Sequence, residues 1–131
     1  MHNKMFSILV VALNPGEKLV QTIQSIWEQT CKDYEVVVKD GGSKDDSLHR
    51  LEAFLEKQPE AKAYVRIIRE PDKSIYEGMN QATKHAQGQY YYFLNCGDVF
   101  ANKHALEKMA CAIKADKVSS VIFYGPPGTG K

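Results

Sequence analysis

The chain has 131 residues, of which 44% are hydrophobic and 25% charged, and 17 basic against 16 acidic residues leave a net charge of +1. This composition is typical of one folded domain, and the charge gives no reason to expect nucleic acid as a partner. No apolar run approaches the roughly 20 residues of a membrane span, and the start does not resemble a secretory signal, so we expect a cytoplasmic protein.

Apolar runs of strand length alternate along the chain with segments of helical periodicity. The pattern predicts an α/β fold, with a mostly parallel sheet of about five strands flanked by helices. The predicted strands are residues 5–13, 34–39, 63–69, 90–94 and 118–124. Aromatic residues fill the fourth run, and its strand character favours core packing over stacking on nucleic-acid bases.

Each predicted helix between these strands begins at a residue that can cap it. The four predicted capping residues are Asn14, Ser43, Ser74 and Asn102. Pro15 suits the first helical position of the first helix, and Glu77 completes a capping-box spacing with Ser74. Gly88 is predicted to end the third helix in a left-handed conformation.

The loops that follow the strands carry most of the unusual residues. Ligands of open parallel sheets bind beyond the carboxyl ends of the strands. The loops at residues 40–45, 70–73 and 95–98 each place acidic residues there. Asp and Gly are also ordinary turn formers, but several carboxylates at one edge favour a hydrogen-bonding ligand or a hard cation such as Mg²⁺ or Mn²⁺.

Four segments, in order, resemble successive motifs of family 2 glycosyltransferases, which are inverting enzymes of the GT-A type. They are MFSILVVALN, EVVVKDGGSKDDS, REPDKSIYEGMNQA and GQYYYFLNCGDVF. The third is similar to a stretch in bacterial enzymes of surface-polysaccharide assembly. The resemblance implies a Rossmann-like, nucleotide-binding half of the GT-A fold. It also implies sugar transfer from a nucleoside-diphosphate sugar, with UDP as the expected nucleotide, to a glycan or lipid-linked acceptor.

The resemblance further implies roles for residues around the nucleotide. Asp40 matches the acidic residue that hydrogen-bonds a uracil-type base. Ala12 and Leu13 match the backbone segment that borders the nucleoside, and Asp72 lies in the loop that closes over the nucleotide near the ribose.

A DXD-like motif is implied at residues 95–98. Asp98 matches its last acidic residue, which holds the divalent ion, Mg²⁺ or Mn²⁺, and Asn95 occupies the first position as a neutral oxygen donor. Two residues depart from the family pattern. Gly97 stands where many relatives have a second Asp, and Lys39 stands where an apolar residue is common.

Members of this family are usually longer, and their acidic general base lies in the later half. Asp116 is the last acidic residue of this chain and falls away from the expected site. We therefore expect residues 1–124 to be a nucleotide-sugar-binding domain without its general base, with turnover impaired. A longer parent could associate peripherally with a membrane, and the alternative is a non-catalytic nucleotide-sugar-binding domain.

The last seven residues, GPPGTGK at positions 125–131, resemble the Walker A segment of clamp-loader-type ATPases. A phosphate-binding loop needs a Ser or Thr after its Lys and a helix that follows. Neither follows Lys131 in this sequence. A P-loop nucleotide-binding function is therefore the less favoured hypothesis.

Overall fold

A parallel sheet with helices on both faces forms the centre of the protein. The structure, a computed structural model, describes residues 4–116 and 122–123. The strands are β1 Phe6–Ala12, β2 Tyr34–Asp40, β3 Val65–Arg69, β4 Tyr90–Phe93 and β5 Ile122–Phe123, and the helices are α1 Lys18–Trp27, α2 Ser47–Lys57, α3 Pro59–Lys62, α4 Ile75–Lys84 and α5 Ala105–Asp116. All strand pairs are parallel, and their spatial order is β3-β2-β1-β4-β5.

The predicted α/β class is confirmed, but the number of full strands is corrected. Four strands in the described part of the chain, β1 to β4, contain four to seven residues each. Of the fifth predicted strand, residues 118–124, the structure describes only the two residues of β5, which pair with Tyr91 and Tyr92. The rest of that prediction, and the tail at residues 125–131, lie outside the described residues.

Strand β1 contributes to a hydrophobic core on each face of the sheet. Phe6, Ile8 and Val10 belong to the larger core, which includes residues of α1, α2 and α5. Leu9 belongs to the smaller core, with Ala82 of α4. These four residues of β1 are all fully buried. This explains why the strand shows no alternation of apolar and polar residues.

Two of the four predicted helix caps are wrong. Asn14 has φ of 49°, and its side-chain oxygen accepts a hydrogen bond from the backbone N–H of Lys44. Ser43 donates its hydroxyl to Asp40 and accepts the backbone N–H of Asn14. Neither side chain is left to cap a helix, because both are used to build the loops beyond β1 and β2. Helices α1 and α2 consequently begin later than predicted.

The other predicted boundaries give a mixed result. The hydroxyl of Ser74 accepts the N–H of Glu77 at 3.2 Å, so the cap of α4 is confirmed. The side chain of Asn102 accepts a backbone N–H in the turn ahead of α5. Gly88 is not left-handed. A Cβ atom there would lie 2.8 Å from the backbone atoms Phe6 C and Ser7 N, so this glycine is required by the close approach of two backbone segments.

The described helices are short, the longest being the 12 residues of α5. None of them, within the described part of the chain, combines the length and apolar character that a bilayer span requires. The four-residue helix α3 was not predicted. It begins at Pro59 and delays the start of β3 to Val65, two residues after the predicted start.

Candidate functional site

A crevice of about 740 Å³ opens at the carboxyl edge of the sheet. Strand β1 lies between β2 and β4 in the sheet. The chain leaves β1 towards β2 and leaves β4 towards β5, on the other side, so the two connections diverge. Such a switch point is the usual binding position in open α/β sheets. Three stretches line the crevice: residues 11–16 with Lys18, residues 72–75, and residues 95–96.

Most of the residues implicated by the resemblance meet at this crevice. Four of the six line it: Ala12, Leu13, Asp72 and Asn95. The remaining two, Asp40 and Asp98, lie near Cys96, which is itself part of the lining. Burial raises the pKa of the Cys96 thiol to about 12, and the carboxylates of Asp40 and Asp98 contribute to this shift. The two carboxylates therefore lie close enough to Cys96 to act on its thiol, although neither lines the crevice.

Asp40, at the end of β2, is only 2% exposed. Its Oδ2 accepts the backbone N–H groups of Gly42 at 3.0 Å and Ser43 at 2.9 Å, and its Oδ1 accepts the Ser43 hydroxyl. The carboxylate thus shapes the loop that follows β2. Its predicted contact with a nucleobase stays a prediction.

The loops that follow β1 and β2 are joined by hydrogen bonds. The N–H of Asn14 donates to Ser43 Oγ at 2.7 Å, and Asn14 Oδ1 accepts the N–H of Lys44 at 2.7 Å. The N–H of Gly16 donates to Asp45 Oδ2 at 2.9 Å. These bonds hold one wall of the crevice in place without a ligand.

Asp72 lies in the wall of the crevice and is held by Lys39. The Lys39 Nζ, fully buried on β2, lies 2.5 Å from Asp72 Oδ2 and also donates to the carbonyl of Glu70. Two glycines pack against the same carboxylate. A Cβ atom would lie 2.7 Å from Asp72 Oδ2 if added to Gly41 and 2.9 Å if added to Gly78. This ion pair explains why a lysine stands at position 39, where the family pattern favours an apolar residue.

The loop at residues 95–98 is held by α1. The N–H of Asp98 donates to the carbonyl of Asn95 at 3.0 Å, and Gly97 has φ of 96°. Thr22, which is fully buried, accepts the N–H of Gly97 at 2.8 Å and donates to the Asp98 carbonyl at 3.0 Å. Asn95 and Asp98 consequently belong to a turn whose backbone is held in place.

The donor set for a metal is small. In the described part of the chain, no three His, Cys, Asp or Glu side chains come together as a metal site. The Asp98 carboxylate and the Asn95 amide offer hard oxygen atoms of the kind that Mg²⁺ and Mn²⁺ prefer. These ions commonly take their remaining ligands from water and substrate phosphates, so the residues present fit an ion that is shared with a ligand.

Several residues of the site were not anticipated from the sequence. Lys18 and Lys73 line the crevice and bring positive charge to it. The Cδ of Lys18 lies 3.2 Å from where a Cβ of Gly97 would stand. Ile75 adds an apolar part to the lining, as the anticipated Leu13 does, and the two residues are 51% and 59% exposed. The available signal for Lys18 was its position at the start of the helix that follows β1.

Comparison with known proteins identifies the family. The sequence model of Glycosyl transferase family 2 matches residues 7–129 of this chain. The chain belongs to glycosyl transferase family 2. This confirms the family expected from the four sequence motifs. The match concerns the family alone and does not address the likeness of residues 125–131 to a Walker A segment.

Relatives of this chain are longer proteins. A PGL/p-HBAD biosynthesis glycosyltransferase of Mycobacterium bovis is 32% identical over 119 residues, which are 91% of this chain and 45% of the relative. The chondroitin synthase of Escherichia coli is 32% identical over 103 residues, which are 79% of this chain and 14% of the relative. The chain therefore spans less than half the length of these relatives.

Solved structures of glycosyltransferases share the fold. Staphylococcus aureus TarS, residues 1–349 in complex with UDP, superimposes with a TM-score of 0.71 at 24% identity, over 85% of this chain and 32% of that one. The mannosyltransferase PcManGT of Pyrobaculum calidifontis, in complex with GDP-Man and Mn²⁺, gives a TM-score of 0.76 at 18% identity, over 86% and 33%. The likeness shows that this chain has the GT-A fold.

Proposed function

We propose that this chain is the nucleotide-sugar-binding part of a glycosyltransferase that uses a UDP-linked donor. The observation that carries the proposal is the crevice at the switch point between β1 and β4, to which the structure brings four of the six implicated residues. Its volume of about 740 Å³ lies in the usual range for small-molecule sites. The complex of TarS with UDP adds support for the choice of nucleotide.

The nucleoside would lie along the wall formed by residues 12–13 and 72–75. Leu13 and Ile75 offer apolar surface to a planar base, a surface that water solvates poorly. Asp40 would accept a hydrogen bond from the base, through the one lone pair of Oδ1 that the loop leaves free. Asp72 would accept a hydrogen bond from the ribose.

The diphosphate would lie near the loop at residues 95–98. Asp98, with Asn95, would hold Mg²⁺ or Mn²⁺ there, and the bound ion would neutralise charge on the leaving nucleoside diphosphate. The complex of PcManGT with GDP-Man and Mn²⁺ supports such an ion in this fold. Lys18 and Lys73 add positive charge at the crevice, which favours an anionic ligand.

The acceptor would be a glycan or a lipid-linked molecule. We assign the acceptor-binding site and the general base to the additional sequence of the longer relatives. None of the described residues that line the crevice is assigned as the base. Sugar transfer by this chain alone would then be impaired, and a nucleotide-sugar-binding role without turnover is the alternative. We further propose that the reaction takes place in the cytoplasm. A longer parent protein would associate peripherally with a membrane.

Calorimetric titration of UDP with and without Mn²⁺ tests the proposal. We expect Mn²⁺-dependent binding that Asp98→Ala abolishes. The control Asp33→Ala lies at the opposite edge of the sheet, where Asp33 accepts the Met5 N–H at 3.1 Å, and should keep the binding. Absence of UDP binding by the native chain would reject the nucleotide proposal. Binding of ATP with Mg²⁺ in place of UDP, with Lys131 required, would favour the P-loop hypothesis.

A further inference from the structure

A carboxylate lies in the wall of a crevice that we assign to an anionic ligand. Asp72 lines the crevice, and its side chain is 10% exposed. A negative charge at this position would repel a diphosphate, because charges about 10 Å apart still interact appreciably inside a protein. The presence of Asp72 therefore requires a local compensation.

Lys39 provides that compensation from below the crevice. Its side chain is fully buried, and its Nζ is bound to Asp72 Oδ2 and the Glu70 carbonyl. The short distances from Asp72 Oδ2 to the Cβ positions of Gly41 and Gly78 show that the carboxylate is packed on two sides. Asp72 is consequently held by its ion pair with Lys39 and by close packing against the backbone of Gly41 and Gly78. Its Oδ2 is engaged, which leaves Oδ1 for a ligand.

We propose that Lys39 is a positioning residue for the donor nucleotide. It neutralises Asp72 and fixes the carboxylate so that Oδ1 can accept a hydrogen bond from the nucleoside without repelling the diphosphate. The inference rests on the proposed nucleotide-binding function. It assigns Asp72 to hydrogen bonding and not to the metal, because the buried ammonium of Lys39 beside the carboxylate would repel a cation.

Titrations of UDP and uridine separate this role from a purely structural one, since only UDP carries phosphate charge. For each variant the readout is the Kd of uridine divided by the Kd of UDP. Lys39→Met leaves Asp72 charged and unpaired, so we expect this ratio to fall about tenfold. Asp72→Asn leaves Lys39 as an unpaired cation, so the ratio should rise about tenfold.

The double variant Lys39→Met/Asp72→Asn removes both charges and should return the ratio to that of the native chain. Replacing both partners of a buried ion pair is often close to neutral for stability, so this variant is expected to fold. Lys84→Met, the same substitution at an exposed position of α4 outside the crevice, is the control and should leave the ratio unchanged.

The outcomes distinguish the inference from the function on which it rests. Opposite shifts for the two single variants, cancelled in the double variant, would support the role of Lys39. Equal weakening of uridine and UDP in every variant would overturn it, because packing defects do not discriminate by ligand charge. A native chain that binds neither ligand would reject the proposed function itself. If Lys39→Met fails to fold, Asp72→Asn and the double variant still give the comparison.

Discussion

At the scale of the single residue, Cys96 reports on the environment of the crevice. Its Sγ donates to the carbonyl of Val11 at 3.7 Å. Burial first, and then the carboxylates of Asp40 and Asp98, raise the pKa of this thiol to about 12. A thiol is protonated below its pKa, and only the thiolate reacts rapidly with alkylating reagents. At neutral pH Cys96 should therefore be almost entirely in its unreactive form.

We predict that iodoacetamide labels Cys96 much more slowly than the exposed Cys111. The rate at Cys96 should rise about tenfold for each pH unit between about pH 7 and about pH 9, without a plateau, because the pKa lies above this range. Mass spectrometry of the labelled peptides measures both rates in one sample. Labelling of Cys96 as fast as that of Cys111, or a plateau below about pH 9, would contradict the prediction.

Single residues show which parts of the site a sequence can reveal. Ala12 and Asn95 could be placed beside the crevice because they lie at the carboxyl ends of apolar runs, and the ends of such runs are readable. The partner of Lys39 could not be found in this way, since Asp72 lies 33 positions away along the chain. The same holds for Ser43, whose link to Asn14 spans 29 positions. Contacts of this kind depend on how two loops meet after folding.

At the scale of the element, α1 supports the loop that we assign to the metal. Thr22 and Ser25 lie three residues apart and so share one face of α1, and Gln29 follows two residues after the helix ends. Their side chains bond backbone groups between residues 97 and 106, including the N–H groups of Gly97 at 2.8 Å and Leu106 at 3.0 Å. Helix α1 thus fixes the candidate metal loop, and Gln29, just beyond its end, fixes the start of α5.

Thr22→Val tests this support with little change of shape. The variant leaves the N–H of Gly97 without its acceptor, so we expect a loss of about 1–3 kcal/mol in the free energy of unfolding. Because the turn at residues 95–98 would loosen, Mn²⁺-dependent UDP binding should weaken, while UDP binding without Mn²⁺ should not change. Urea unfolding and calorimetry measure the two effects.

Thr83→Val is the matched control. The Thr83 hydroxyl donates to the Asn80 carbonyl within α4, at 2.7 Å, and makes no bond to the loop. This variant should leave the response to Mn²⁺ unaffected. If Thr22→Val reduced stability and kept full Mn²⁺ dependence, the helix would be shown to support the fold but not the metal loop.

Elements were easier to predict than their ends. Strand β1 was found because burial on both faces leaves it almost entirely apolar. The starts of α1 and α2 were missed because Asn14 and Ser43 have two possible uses, capping a helix or joining loops, and only the folded arrangement selects one. The buried face of α1 also left a signal, since the polar Thr22 interrupts its apolar side.

At the scale of the whole molecule, the two edges of the sheet have different roles. The carboxyl edge forms the crevice, whereas the amino edge is joined by a polar network around Glu35, whose side chain is 13% exposed. Its carboxylate accepts the Ser7 hydroxyl at 2.6 Å, the Arg66 guanidinium at 3.0 Å and the backbone N–H of Gln87. These bonds connect β1, β2 and β3 to the segment that leads into β4.

This separation predicts that stability and ligand binding can be changed independently. Glu35→Gln keeps the size of the side chain and removes its charge, so we expect a loss of about 2 kcal/mol in the free energy of unfolding. The Kd of UDP should change less than about twofold, because the substitution lies at the opposite edge from the crevice. Urea unfolding and UDP titration of the same preparation measure both quantities.

Glu52→Gln provides the reference for removing an exposed carboxylate. Glu52 is 49% exposed, and its contacts with His49 and Arg69 are 3.8 and 3.9 Å long, so the change in stability should stay within about 0.5 kcal/mol. A Glu35→Gln variant that weakened UDP binding about tenfold would contradict the separation. It would show that the amino edge fixes the spacing of the strands at the carboxyl edge, so that the crevice depends on the register of the whole sheet.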